Sequence, residues 1–258
     1  MNNNKVIQGL WIGNRLSVME QLSIVSFIKH GHEYHLYVYD DLEDIPRGTI
    51  LQDAGEIVSR GQVFKDRKVE GTYANFSDIF RYKLLFEKGG YWADLDAICL
   101  KPFDFSSDYV FAQQNDEDGS RFVCGGVIKT PPGSEIMKYC YDASLLRASG
   151  EYGWIDLGPR LLNEAVNKFE LTHHVVSYNT FTPIDWMDWK HIVSGKLSVR
   201  IKIKLKLTKE EVYSVHLWNC MWAMEKADKD STYHPKCLYE KLKKIYLETH
   251  NPFTFVKF

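Results

Sequence analysis

An α/β fold, with a sheet covered by helices on both faces, is what this sequence predicts, and three observations carry the prediction. Over the first hundred residues, apolar runs of strand length alternate with segments of helical period. That β-α-β order argues for a largely parallel sheet, whose ligands gather at the carboxyl ends of the strands. No linker interrupts the 258 residues, so residues 1–258 are read as one domain.

The elements follow in order. "KVIQGLWIG", from Lys5, is a short apolar strand. "SVMEQLSIVSFIKHG" has helical apolar spacing, with Ser17 as N-cap and Gly31 as stop. "EYHLYVYDD" alternates as a strand does, and "NFSDIFRYKLLFEKGG" is the clearest helix, closed by Gly89 and Gly90. "YWADLDAICL" follows as a buried strand. Beyond Pro102 the pattern is mixed. "DYVFAQQ" and "RFVCGGVIKT" read as strands, and "GSEIMKYCYDASLLRAS" and "GPRLLNEAVNKFEL" as helices. "SVRIKIKLKLT" alternates strictly and reads as an edge strand guarded by Lys202, Lys204 and Lys206. "KCLYEKLKKIYLETH" is a last amphipathic helix.

Composition narrows the function classes. Thirty-two Lys and Arg against thirty-four Asp and Glu give a net charge of −2, which argues against a nucleic-acid binder relying on a general basic field. The five cysteines (Cys99, Cys124, Cys140, Cys220, Cys237) form no C-x-x-C and read as reduced thiols of a cytosolic protein. No apolar run reaches the ~18 residues of a membrane span. The expected setting is cytoplasmic.

Asp94 and Asp96 pose the chemical question. On a strand, residues i and i+2 share a face, so two carboxylates would stand side by side and repel. A divalent cation resolves that conflict, and oxygen ligands suit Mg²⁺ or Mn²⁺; a solvated pair at a strand's end is the plainer alternative. The preceding helix sharpens the reading. Asn75, Asp78, Arg81 and Tyr82 fall on one helical stripe, offering an amide, a carboxylate and a guanidinium. Asp78 suits sugar hydroxyls, and the planar fork of Arg81 suits a sugar or phosphate oxygen.

"ANFSDIFRYKLLFEKGGYWADLDAICLKPFD" resembles the sugar-binding region of DxD-containing glycosyltransferases of the GT-A fold, a mixed Rossmann-like sheet with helices on both faces and a mixed C-terminal portion. It is most similar to the group of yeast-type mannosyltransferases, α-1,4-galactosyl- and N-acetylglucosaminyltransferases, and bacterial capsule or lipopolysaccharide enzymes. It is also similar to the catalytic core of large clostridial glucosylating toxins. The resemblance implies that residues 1–104 bind a nucleotide sugar and residues 105–258 form the acceptor side. Trp11 stands where the group stacks a nucleotide base; three residues earlier, where the family often carries His, this chain has Gln8. "VHLWNCMW" resembles the family's His-x-Trp segment, which implies that His216 completes the metal or diphosphate site, with Trp218, Asn219 and Trp222 beside it. Asp156 to Val166 resembles the acceptor-side helix start, and Gly125 and Gly126 lie where similar enzymes approach donor and acceptor.

The expected enzyme is thus a metal-dependent, retaining glycosyltransferase. Asp78, Arg81 and Asp96 form its catalytic set; Trp11, Asn75, Tyr82, Trp92, Asp94, His216 and Asn219 join them in holding the donor; Asp94, Asp96 and His216 hold Mn²⁺ or Mg²⁺. The implied donor is UDP-galactose, UDP-N-acetylglucosamine or UDP-glucose, and the acceptor is a glycan or lipid-linked glycan of a bacterial surface polysaccharide. Two other readings stand beside it: a glycoside hydrolase using Asp94 and Asp96 as paired carboxylates, and a non-catalytic glycan-binding module. His30, His32 and His35 near Glu33 could bind a transition metal, but a solvated turn accounts for them as well. The Lys-rich segment at Lys202–Lys206, joined by Lys241, Lys243 and Lys244, could dock on anionic lipid at the inner membrane face.

Overall fold

A computed structural model describes residues 5–66 and 72–248. Six strands make the main sheet, in the order β3-β2-β1-β4-β7-β6. They are β1 (Val6–Trp11), β2 (Glu33–Val38), β3 (Thr49–Asp53), β4 (Gly90–Ala93), β6 (Val110–Asn115) and β7 (Arg121–Thr130). β1, β2, β3 and β4 run parallel, whereas β7 pairs antiparallel with both β4 and β6. The sheet is therefore mixed, but only β7 is reversed: the other five strands share one direction, so the largely parallel arrangement read from the alternation holds apart from that strand. A second, two-stranded sheet pairs β5 (Ala97–Cys99) with β8 (Ser214–His216).

Alternation along each strand sends side chains to two cores. Leu10, Tyr37 and Trp92 face α2 (Ala74–Lys88), α3 (Glu135–Ala148) and α4 (Pro159–Lys168). Ile7, Tyr34, Leu36 and Tyr91 face α1 (Val18–Lys29) on the other side. Beyond α1 a third cluster gathers α6 (Leu197–Leu207), α7 (Asn219–Met224) and α8 (Leu238–Lys243) around Trp189 and the fully buried Trp222. A short α5 (Tyr178–Phe181) and a 3₁₀ segment, Trp186–Val193, lead into α6.

Local signals are obeyed where the chain offers them. Ser17 and Glu20 close a complete capping box at the start of α1. α2 has no capping side chain at Tyr73; Asp66 supplies the cap from upstream, accepting from the amides of Ala74 (2.7 Å) and Asn75 (3.0 Å). Gln8 is buried and donates to the Gly89 carbonyl at 2.7 Å, tying β1 to the corner between α2 and β4.

Three local readings need correction. "SVRIKIKLKLT" is not an edge strand but most of α6. Its two-residue alternation also places Val199, Ile203 and Leu207 four residues apart, on one helical face, where they pack into the third cluster. Lys, Arg and Leu are strong helix formers, and no neighbouring strand offers a ladder. The last helix is shorter than read: α8 ends at Lys243 and passes into a π-helical turn, Lys244–Glu248, while residues 249–250 lie outside the described residues. The D-x-D strand ends at Ala93, so Asp94 to Asp96 form a turn between β4 and β5, closed by the Ala97 amide on the Asp94 carbonyl at 2.9 Å.

Gly89 is essential to the α2–β4 corner. Its φ is +62°, and a methyl group there would collide with the Pro132 backbone. Gly89→Ala is expected to lower stability by ~1–3 kcal/mol, read as the urea midpoint; an unchanged midpoint would contradict this account of the corner.

Candidate active site

The turn after β4 lies at the carboxyl end of the parallel strands, where an α/β sheet exposes its ligand edge. The chain leaves the main sheet there, still bonded to it through the Asp94 amide and the Gly126 carbonyl at 2.9 Å. It enters the small sheet beside β8, whose register sets Ala97 opposite His216. Two carboxylates are thereby carried to an imidazole 120 residues away. His216 Nε2 lies 3.2 Å from Asp96 Oδ1 and 3.7 Å from Asp94 Oδ2.

From the α2 side comes Arg81, buried and shared. Its Nη2 lies 3.1 Å from Asp94 Oδ1 and 3.4 Å from Asp78 Oδ1, and its Nη1 donates to the Gly125 carbonyl at 2.7 Å. The guanidinium also stands over the Trp92 ring at 4.9 Å, and Trp92 Nε1 donates to Asp94 at 2.8 Å. The Asn219 amide donates to Asp96 Oδ2 at 2.7 Å, and the Trp218 amide to His216 Nδ1 at 3.2 Å. With Nδ1 accepting, the His216 proton sits on Nε2 and faces the carboxylates; a cation taking that nitrogen must displace it.

The charges split unevenly. Burial raises the Asp94 carboxyl, but Arg81, His216 and Trp92 outweigh it, and its pKa lies below the ordinary value. Asp96 is pushed up by burial, with Asp94 adding to the rise and His216 opposing it. Burial works against His216, yet the two aspartates prevail and raise it. Asp78 is raised to about 7, mainly by burial, with Arg81 pulling the other way. Desolvation thus decides at Asp78, and the nearby cation decides at Asp94.

Glycines form the walls. A methyl group at Gly125 would collide with Arg81 and one at Gly158 with Asp78, while at Gly126 it would meet the His216 ring at 3.1 Å. Gly158, the residue before α4, is also held by the Tyr82 hydroxyl, which donates to its carbonyl at 3.0 Å.

The remaining expected residues sort by placement. Trp92 and Tyr82 are fully buried and hold Asp94, Arg81 and Gly158 in place instead of lining open space. Trp11 ends β1, the strand beside β4, so it shares the site's edge of the sheet; its indole Nε1 has no partner among the described residues. Asn75 donates from its amide nitrogen to Asp66, and its Oδ1 is likewise unpartnered. Asn219 enters through its backbone amide. Trp218 packs on His216 with rings 4.3 Å apart, but Trp222 belongs to the third core cluster and donates to Leu217. His30, His32 and His35 do not converge: they engage Tyr246, the Phe103 amide and Glu33 in turn. Asp66 escaped the sequence reading because capping a helix from eight residues upstream leaves no local spacing signal. Gly158 and Gly125 lay in segments singled out above, but their contacts with Asp78 and Arg81 exist only in the folded chain.

Asp94, Asp96 and His216 each offer a ligand atom, and these atoms lie within 4.8 Å of one another. Two oxygens and one nitrogen at that spacing fit a small divalent cation that keeps further positions for water or substrate. A largely buried cluster of carboxylates, a guanidinium and an imidazole at the carboxyl edge of a mixed α/β sheet suits a charged, oxygen-rich ligand. Two family models match the chain. The glycosyltransferase sugar-binding region containing a DXD motif matches residues 17–115, and the alpha 1,4-glycosyltransferase conserved region matches residues 150–246. Both matched regions are glycosyltransferase regions, the first carrying the DXD motif, and together they support a DXD glycosyltransferase.

Among solved structures, a PaToxG glycosyltransferase aligns with a TM-score of 0.50 at 17% identity, covering 94% of this chain and 87% of that one. A transferase carrying two cysteine-to-serine substitutions aligns with a TM-score of 0.44 at 10% identity, over 66% of this chain and 86% of that one. No curated protein matches the chain.

Asp78 makes the pH dependence testable. A carboxyl whose folded pKa is raised to about 7 keeps a proton that the unfolded chain gives up near its ordinary value of 3.8. Its contribution to stability is therefore present at low pH and is lost as pH rises toward about 7. In chelator and without donor, Asp78→Asn should gain on the wild type by up to a few kcal/mol between about pH 4.5 and about pH 7.5. Parallel stability curves for the two proteins would refute the buried, protonated Asp78.

Proposed function

We propose that the chain is a metal-dependent, retaining glycosyltransferase that moves a hexose or N-acetylhexosamine from a UDP-sugar to a glycan or lipid-linked glycan. The observation that carries this reading is the meeting of Asp94, Asp96 and His216 beside the Arg81–Asp78 pair. A hydrolase would need neither a cation site nor a buried cation for phosphate, and the glycosyltransferase models argue against it. Retention, and a place in bacterial surface-polysaccharide synthesis at the cytoplasmic face, rest on the likeness to capsule and lipopolysaccharide enzymes.

Residues 1–104 carry the donor side in this reading, and residues 105–258 the acceptor side. Asp94 and Asp96, joined by His216, would hold Mn²⁺ or Mg²⁺, which when bound supplies Lewis-acid stabilisation of the departing diphosphate. Arg81, fixed by the Gly125 carbonyl and the Trp92 ring, stays charged and presents its fork to sugar or phosphate oxygens. Asp78 engages sugar hydroxyls, as donor when protonated and as acceptor when ionised. Trp11, at the carboxyl end of β1, stacks on the base. The Asn219 amide and the Trp92 indole keep the two carboxylates aimed inward, so that they need not reorganise when the substrate arrives.

Asp96→Ala is expected to lower transfer at least roughly a hundredfold while the protein stays folded. Full activity in this variant, or in excess chelator, would remove the cation from the reaction. UDP with Mn²⁺ should raise the melting temperature of the wild type and leave that of Asp96→Ala nearly unmoved. A screen of UDP-galactose, UDP-N-acetylglucosamine and UDP-glucose for Mn²⁺-dependent hydrolysis without acceptor identifies the donor; a molecule inert to all three would refute the UDP-sugar assignment.

A further inference from the structure

Helix α6 carries apolar residues on both of its faces. Val199, Ile203 and Leu207 pack inward. On the opposite side Leu197, Ile201 and Leu205 recur at the same four-residue interval and stand 64%, 51% and 65% exposed. A single exposed Leu is ordinary; three in a stripe about 12 Å long on one helix are not. At 100° per residue, Arg200 and Lys204 border the stripe on one side and Lys202 on the other.

The segment that carries the stripe is basic, although Lys190 and Lys209 pair with Glu225 and Glu211 outside it. From Trp189 to Lys209 the chain has seven Lys and Arg and no Asp or Glu, although its net charge is −2. Lys202 is paired with Asp188 at 3.2 Å, and Lys206 donates to the Pro183 carbonyl at 2.7 Å. Lys196, Arg200 and Lys204 have no ion pair among the described residues. An aliphatic stripe bordered by the unpaired cations Arg200 and Lys204 is the pattern of a helix that lies in a membrane interface.

We propose that α6 docks this protein on an anionic phospholipid bilayer, with Leu197, Ile201 and Leu205 entering the acyl boundary and Arg200 and Lys204 resting on headgroup phosphates. A second copy fits less well: a two-fold contact through the stripe would set basic borders against one another, whereas an anionic surface satisfies stripe and border together. The position suits the chemistry proposed above without depending on it. Only residues 208–213 separate α6 from β8 and His216, so docking would hold the acceptor side near the lipid surface.

Sedimentation with vesicles tests this, and needs neither donor nor acceptor. The full chain should bind phosphatidylcholine vesicles containing about a third phosphatidylglycerol at least tenfold more strongly than pure phosphatidylcholine, and added salt should weaken the binding. Combining Leu197→Ser, Ile201→Ser and Leu205→Ser should reduce binding about tenfold or more, with melting temperature preserved because all three side chains face outward. Lys204→Glu alone should reduce binding to the anionic vesicles and leave the neutral ones unaffected. Equal binding to both vesicle types, or undiminished binding by the triple variant, would overturn the proposal. So would a wild-type dimer that the triple variant dissolves, since that would assign the stripe to a second copy.

Discussion

The guanidinium of Arg81 is the contact on which the rest of the site depends. A buried cation is costly unless several partners meet it, and here two carboxylates, a carbonyl and an aromatic ring do so. The same contacts determine the state of each partner. Asp94, closest to the cation, stays ionised; Asp78, farther away and more deeply buried, is raised toward neutrality. Opposite them His216 turns its Nε2 toward both Asp94 and Asp96. The pit is thus balanced without a ligand, yet two carboxylate edges and an imidazole still face one another.

That balance explains why glycines and large buried aromatics surround the site. Gly125 and Gly158 let backbone come up against Arg81 and Asp78, where any side chain would push them apart. Trp92 and Tyr82 stand behind the polar groups and hold them by single hydrogen bonds. Most of the polar positioning is done by main-chain groups of Gly125, Gly126 and Asn219, which are fixed by the sheets and helices that carry them. Such groups reorganise little when charge develops, a useful property for a reaction whose leaving group is anionic.

The fold assembles these parts from both regions that the family models match. α2 and the turn after β4 come from the first; β8 and α4 come from the second. The crossing of the chain from the six-stranded sheet to the small one places both aspartates in a turn, freeing their carboxylates from the alternating faces of a strand. Convergence through a turn reaches a result similar to same-face projection, by a different geometry. The strand reading was therefore right about the outcome and wrong about its cause.

Much of this was legible in the amino-acid order. The capping box at Ser17 and Glu20, the stripe of Asp78 and Arg81 on α2, the Gly89 stop and the D-x-D pair all act within a few residues, so their spacing carries the information. The partners could not be read in that way. His216 reaches Asp96 across 120 residues because β5 pairs with β8, and Asp66 caps α2 only once the intervening chain has folded back. α6 shows the limit most clearly. Its alternating residues satisfy a strand and a helix equally well in isolation, and burial of Val199, Ile203 and Leu207 against the C-terminal core decided between them. Local sterics and capping are written in sequence, whereas burial and long-range pairing exist only once the chain has closed on itself.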